Sequence, residues 1–265
     1  MSSYRHLMVV ALAVVVLSCG TATDSGTGSP DASILGGPDR ADVGDGIELH
    51  LDFDHPLTLG TRRLFDSGAG WTDAEIVESE PGTLTVAAGQ GPGSTAASFP
   101  ARCARLEGCP HALVQLPDDD RLNPGGSDFA FGARVRLAPD QTAVGSNIVQ
   151  KGRYDTVGGQ WKLQVDGLEG QPSCVVQGEV GESRETVKLK AEQSIADDEW
   201  HEVSCAIEDD RLTITVDGIV KTVRAEIESV RNESDLHIGA SGPADTDDQF
   251  HGVIDEVRFC LGTCG

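Results

Sequence analysis

Aromatic side chains are scarce in this chain: three Trp, two Tyr and seven Phe, 5% of all residues. That poverty weighs against a sugar site built from several exposed ring faces. Basic residues are outnumbered too, 20 Lys and Arg against 43 Asp and Glu, for a net charge of −23. A field of that sign repels phosphate backbones and anionic lipid head groups, which excludes nucleic acid as a partner and favours divalent cations. The apolar run from Leu7 to Leu17 falls well short of the roughly twenty residues that span a bilayer. Catalytic signatures are missing: the chain has no G-x-S-x-G, no H-E-x-x-H and no G-x-x-x-x-G-K.

What is present begins with an export pattern. Arg5 and His6 precede the apolar run, and Ser18-Cys19-Gly20 follows it, as in a signal peptide over residues 1–18. The tail VVLSCG resembles a bacterial lipoprotein signal, which implies that Cys19 is acylated; the alternative is an ordinary secretory signal cleaved nearby. Residues 19–46 then form a tether. From Gly20 to Gly46 only Ile34, Leu35 and Val43 are large and apolar, too little to offset the entropy of ordering. Such a chain reaches about 30 Å and leaves orientation free. Residues 47–265 provide enough chain for one domain with a sizeable core. The expected location is the bacterial cell envelope, on the outer side of a membrane and attached to it by lipid only.

The chain has seven Cys. Setting Cys19 aside leaves an even set in an exported protein, which reads as disulfides. Pairing sequence neighbours gives Cys103–Cys109 and Cys260–Cys264 and leaves Cys174 with Cys205, one of several connectivities that sequence allows. A zinc site at Cys103, Cys109 and His111 has an unusual spacing.

The domain alternates with period two. Phe129, Phe131, Ala133, Val135 and Leu137 share one strand face, as do Trp161, Leu163 and Val165 in QWKLQV. WHEVSCAI and RLTITV repeat the pattern, and Asp217-Gly218 marks a hairpin before IVKTV. Only VRAEIESVRN, from Val223 to Asn232, allows a helical turn. These half-buried antiparallel strands predict an all-β, two-sheet sandwich.

Several stretches carry a family resemblance. ALVQLPDDDRLNPGGSDFAFGARVRL, IVQKGRYDTVGGQWKLQVDG, IADDEWHEVSCAIEDDRLTITVDG, LHIGA and FHGVIDEVRF occur in the order seen in laminin G-like domains of the concanavalin A-like jelly-roll superfamily. LHLDFDHP and LFDSG resemble the family's first strand and following loop. The resemblance implies an antiparallel jelly roll and says little about function, because the family includes glycan binders, protein binders and modules attached to enzymes.

In FHGVIDEVRF, simple alternation sets Val253, Asp255, Val257 and Phe259 on the buried face and Ile254, Glu256 and Arg258 on the other. A carboxylate among apolar neighbours needs compensation from amides, an arginine or a metal. Related domains often hold calcium where first and last strands meet, which implies Asp255 and Asp52 as ligands of one structural Ca2+, with Asp54 a third option. The competing reading is Asp255 hydrogen-bonded to backbone amides with no metal. Asp118-Asp119-Asp120 and the acidic run from Asp245 to Asp248 are rival sites without an EF-hand pattern.

A jelly-roll glycoside hydrolase or lyase would place alternating carboxylates on one strand, whereas the phase here gives Val253, Asp255, Val257. No catalytic residue is therefore assigned. Trp71 and Tyr154 are the aromatic side chains not absorbed by core alternation. Tyr154 lies in the Gly-bounded loop KGRYDTVGG, where Lys151, Arg153, Tyr154 and Asp155 are candidate ligand contacts; Arg153, Tyr154 and Trp71 form the expected binding set. The expected function is a non-catalytic module for an extracellular glycan or protein, with a structural envelope component as the alternative.

Overall fold

The computed structural model describes residues 46–54, 63–64, 74–79, 81–103, 108–243 and 248–262. In chain order its strands are β1 (Ile47–Leu51), β2 (Arg63–Leu64), β3 (Ala74–Ser79), β4 (Thr85–Ala88), β5 (Thr95–Ser98), β6 (His111–Leu116), β7 (Phe129–Arg136) and β8 (Ser146–Lys151). They continue with β9 (Gln160–Val165), β10 (Pro172–Val180), β11 (Ser183–Lys190), β12 (Trp200–Glu208), β13 (Arg211–Val216), β14 (Ile219–Arg224), β15 (Leu236–Ile238) and β16 (Val253–Leu261). Two eight-stranded antiparallel sheets result. The first runs β14-β13-β12-β7-β16-β5-β4, with β1 also on β16, and the second runs β11-β10-β9-β8-β15-β6-β3-β2. The fold is a jelly-roll sandwich.

Alternation selects what lies between the sheets. Phe129, Phe131 and Val135 of β7 and Leu212, Ile214 and Val216 of β13 are buried, and they face Trp161, Leu163 and Val165 of β9 across the interior. The rings of Phe131 and Trp161 lie 4.8 Å apart, and those of Trp161 and Phe259 lie 4.9 Å apart. Trp161 donates its indole N–H to the Leu122 carbonyl, so its one polar atom is satisfied inside the core. Trp200 is only half-buried, with the Arg136 guanidinium 5.6 Å from its ring.

Local chemistry sets the hairpins. Asp217 and Gly218 both take positive φ, 49° and 79°, as the two-residue turn between β13 and β14 requires. Asp217 also accepts from the Glu202 amide and pairs with His201, whose other ring nitrogen meets Asp197 at 2.9 Å. Burial opposes charge on that imidazole, but the two carboxylates outweigh it and hold its pKa above the ordinary histidine value.

The helical turn allowed over Val223–Asn232 does not form. β14 ends at Arg224, and the following residues bridge Glu179 to Ser229 and Gly125 to Val230. Those cross-chain partners satisfy the backbone better than an isolated turn would.

Cys174 on β10 and Cys205 on β12 are disulfide-bonded and buried, joining the two sheets through the interior. Cys103 and Cys109 are bonded to each other, so neither is a free zinc ligand. Cys260 is disulfide-bonded as well; its expected partner Cys264 lies outside the described residues. Replacing Cys174 and Cys205 together by Ala is expected to lower the unfolding free energy by about 3–4 kcal/mol, the chain-entropy value for a bridge of this span. Urea denaturation reads it directly, and an unchanged midpoint would show that the sandwich closes without the bond.

Candidate functional site

Three regions gather polar side chains: the end of β16, a cleft at the sandwich rim, and the outward face of the second sheet.

At the end of β16, simple alternation fails. Asp255 pairs with Arg134 and Arg258 with Gly132, and the register shifts between them. Glu256 sits in that bulge with φ 51°. The extra residue changes the phase: Ile254, Val257 and Phe259 enter the core, and Asp255 leaves the face it was expected to share with Val257. Asp255 is nonetheless 2% exposed, because the β4–β5 turn lies against it; a side chain at Gly89 would come within 3.0 Å of its Oδ2. Burial raises the Asp255 pKa to about 6, with the Glu256 and Asp54 carboxylates adding to the rise against hydrogen bonding from the Glu256 amide and the charge of Arg134. Glu256 goes the other way, to about 2, through its hydrogen bond with His50 and then the charges of His50, Arg258 and Arg134.

The segment after β1 folds toward this point. Asp52 accepts from the Asp54 amide at 3.1 Å, Asp54 accepts from the Thr95 amide at 2.7 Å, and the Thr95 hydroxyl donates to the Phe53 carbonyl at 2.5 Å. Among the described residues no three His, Cys, Asp or Glu side chains cluster as metal ligands. A hard cation here would draw on Asp255 and Asp54, the carboxylate that bears on it, and would complete its oxygen shell from carbonyls and water. The raised Asp255 pKa has a consequence for stability. A carboxyl with a folded pKa above its unfolded value binds its proton more tightly in the native state, so stability falls as pH rises from about 4 through 6.

The rim cleft has a volume of about 740 Å³ and includes Asp118, Asp120, Asn123, Arg231 and Asn232 in its lining. Asp118, Asp120 and Arg231 are already engaged. Lys151, fully buried at the end of β8 and not available as a ligand contact, donates to Asp118 and to the Asn232 and Ser234 carbonyls. Burial lowers the Lys151 pKa, opposed by that carboxylate. Arg231 donates to Asp120 at 2.8 Å. Asn232, first residue of a formal N-x-S triplet, is 4% exposed and donates to the Gly159 carbonyl.

The second sheet turns a different surface outward. Its inward residues alternate with a ladder that crosses seven strands: Glu75, Gln115, His237, Gln150, Lys162, Val175 and Lys188 lie side by side from β3 to β11. A second row sets Asn147 beside Gln164, Ser173 and Lys190, and a third sets Gln160 beside Gln177 and Thr186. Amides dominate. Although they face away from the core, Gln150, Gln160, Gln164 and Gln177 are all below 9% exposure, so this face is recessed. The amides bond among themselves and their neighbours: Asn147 to Gln150 at 2.6 Å, Gln164 to Ser173 at 3.2 Å, and Gln177 to Thr186 at 2.7 Å. Two acceptors, Asn147 Oδ1 and Gln177 Oε1, are buried without a partner.

Arg153 and Tyr154, expected as ligand contacts, stand beside this face. Arg153 donates to the Ser241 carbonyl at 3.0 Å, tying the β8–β9 loop to the segment after β15. Tyr154 is 74% exposed, and its carbonyl accepts from Arg184 of β11. Gly158 and Gly159 hold that loop with φ 83° and 92°; a Cβ on either would lie under 2 Å from a backbone oxygen, of Arg231 and Gln177 respectively. Trp71 and Cys19 lie outside the described residues.

The amide rows escaped the sequence reading, although their signal was present. The apolar half of QWKLQV marks the core, while the other half, Gln160, Lys162 and Gln164, is neither acidic nor a turn former in a chain dominated by acids.

Residues 110–261 match the family model described as the concanavalin A-like lectin/glucanases superfamily. Among solved structures, domain 4 of AbnA, a GH43 extracellular arabinanase from Geobacillus stearothermophilus, solved with arabinotriose, aligns with a TM-score of 0.58 at 16% identity, covering 82% of this chain and 93% of that one. A botulinum neurotoxin type C structure from work on its interaction with two ganglioside molecules aligns at 0.54 with 10% identity, covering 82% of this chain and 48% of that one. The binding domain of botulinum neurotoxin DC, solved with rat synaptotagmin II, aligns at 0.53 with 9% identity, covering 82% and 48%. At such identities the likeness is one of fold. No curated protein matches the chain.

Proposed function

The chain belongs to the concanavalin A-like lectin/glucanases superfamily, and from that premise we propose that it is a non-catalytic module that binds an extracellular saccharide on the outward face of its second sheet. The observation that carries this reading is the recessed floor of Gln150, Gln160, Gln164 and Gln177 with two buried acceptors unpartnered. An amide offers both a donor and an acceptor, which suits a sugar hydroxyl, itself both. Buried acceptors without partners cost free energy, which a ligand that shifts these amides would recover by donating to them. Rings are few, and hydrogen bonding takes their place. The AbnA domain solved with arabinotriose supports a saccharide reading by analogy of fold.

Catalysis of glycoside cleavage needs two carboxylates about 5–10 Å apart. Gln150, Gln160, Gln164 and Gln177 are amides, which bind hydroxyls without supplying a nucleophile and an acid. The neurotoxin domain solved with synaptotagmin favours a second reading, a protein partner at the exposed loop around Tyr154. In the cell the module is exported, acylated at Cys19 and held off the membrane by residues 19–46.

A glycan array, followed by titration of whichever oligosaccharide binds, tests the floor. Gln150→Ala with Gln164→Ala is expected to weaken binding at least about tenfold, the loss of one to two hydrogen bonds, at a temperature where circular dichroism shows the variant still folded. A silent array, or a protein partner that Tyr154→Ala releases and the double variant does not, would move the site off the sheet.

We also propose one structural calcium ion at Asp255 and Asp54, near Asp52. In chelator at pH 7, Asp255→Asn should raise the melting temperature, because it removes an ionised buried carboxylate. Calcium should raise the midpoint of the wild type and leave that variant unmoved. A wild-type midpoint indifferent to calcium would rule the ion out.

A further inference from the structure

The saccharide reading leaves the chemistry of the ligand open, and Lys162 narrows it. Lys162 occupies the middle of the central ladder, on β9, between Gln150 and Val175. It is half-buried, and burial lowers its pKa against the partial support of Asp248 and Asp166. Yet, among the described residues, no hydrogen bond or ion pair reaches its ammonium, and those two carboxylates act on it only through their charge. Desolvating an ammonium without a partner is costly, and structures that tolerate it ordinarily supply a carboxylate or a carbonyl cage. Lys151, eleven residues earlier in the same chain, has such a cage.

The neighbouring cations are spoken for. Lys188 pairs with Asp166, Lys190 with Glu169 at 3.5 Å, and Arg184 donates to the Tyr154 carbonyl. Among the described residues, Lys162 is therefore the cation of this face without a hydrogen bond or ion pair of its own, in a floor of amides. The composition of that floor is itself unusual. Its central positions Gln150, Lys162, Gln164 and Ser173 carry no carboxylate, and the acids at its margins, Glu75 and Glu179, lie in register with Gln115 and Arg184.

We infer that the groove takes an acidic saccharide, with a single carboxylate of one sugar unit seated on Lys162 and its hydroxyls on the surrounding amides. The inference rests on the saccharide reading above and deepens it. The overall negative field sets a limit on the ligand. Beyond a Debye length of about 8 Å that field is screened at physiological salt, so one carboxylate meets mainly the local ammonium. A densely charged polyanion would extend past the groove toward the acidic surface, which disfavours it. One carboxylate matches one unpaired cation.

Two matched probe pairs test this by calorimetric titration of the full domain: trigalacturonate against its carboxyl-reduced trigalactoside, and 3′-sialyllactose against lactose. The expected result is that the acidic member of at least one pair binds at least about tenfold tighter than its neutral partner, as a charge-assisted hydrogen bond commands. Lys162→Gln should bring the two members to parity, and Lys162→Arg should keep most of the difference. The wild-type comparison stands even if a variant folds poorly. Equal affinity for acidic and neutral members, or tighter binding of the neutral ones, overturns the acidic ligand and leaves the saccharide groove intact. No binding by any of the four probes overturns the acidic ligand, and a silent glycan array alongside it removes the groove as well.

Discussion

Trp161 lies between Phe131 and Phe259, and this three-ring contact is where the two sheets meet. Phe131 and Phe259 come from adjacent strands of the first sheet and Trp161 from the second, with ring centroids under 5 Å apart on each side. The Cys174–Cys205 bond ties the same pair of sheets through the interior. Because a strand alternates its side chains, committing Trp161, Leu163 and Val165 to the interior forces Gln160, Lys162 and Gln164 outward. A slip of one residue would bury a lysine and two amides. The outward face is thus a consequence of the core.

The two outward faces then behave differently. On the first sheet the charges close among themselves: Arg134 with Glu202, and Glu256 with both His50 and Arg258. On the second sheet the amides satisfy one another only in part, and among the described residues Lys162 has only the charges of Asp248 and Asp166 to support it. Surface ion pairs contribute little to stability, so the first face asks for no further explanation. A recessed face with unmet acceptors and a lone ammonium does, and ligand binding explains both features together.

Much of the fold was legible in the residues. Period-two alternation from Phe129 to Leu137 and from Arg211 to Val216, and the Asp217-Gly218 turn, identified strands and a hairpin that the structure contains. Asp255 was misplaced because a bulge at Glu256 shifts the phase by one, and alternation cannot register an inserted residue. Lys151 was read as a loop contact because its burial depends on Asp118 and Asn232, distant in sequence. The amide-rich face is hidden from the sequence for a similar reason. Gln115, Gln150, Lys162 and Lys188 come from four separate strands, and only strand pairing aligns them in one ladder.

The most direct test of a core that dictates its own binding face is a crystal structure of the domain with its bound oligosaccharide. The proposed saccharide site predicts ligand density over Gln150, Lys162 and Gln164, on the side of β9 opposite Trp161. Ligand density on the outward face of the first sheet, beside Gly132 and Ser204, or at the rim cleft near Asp120 and Arg231, would contradict it.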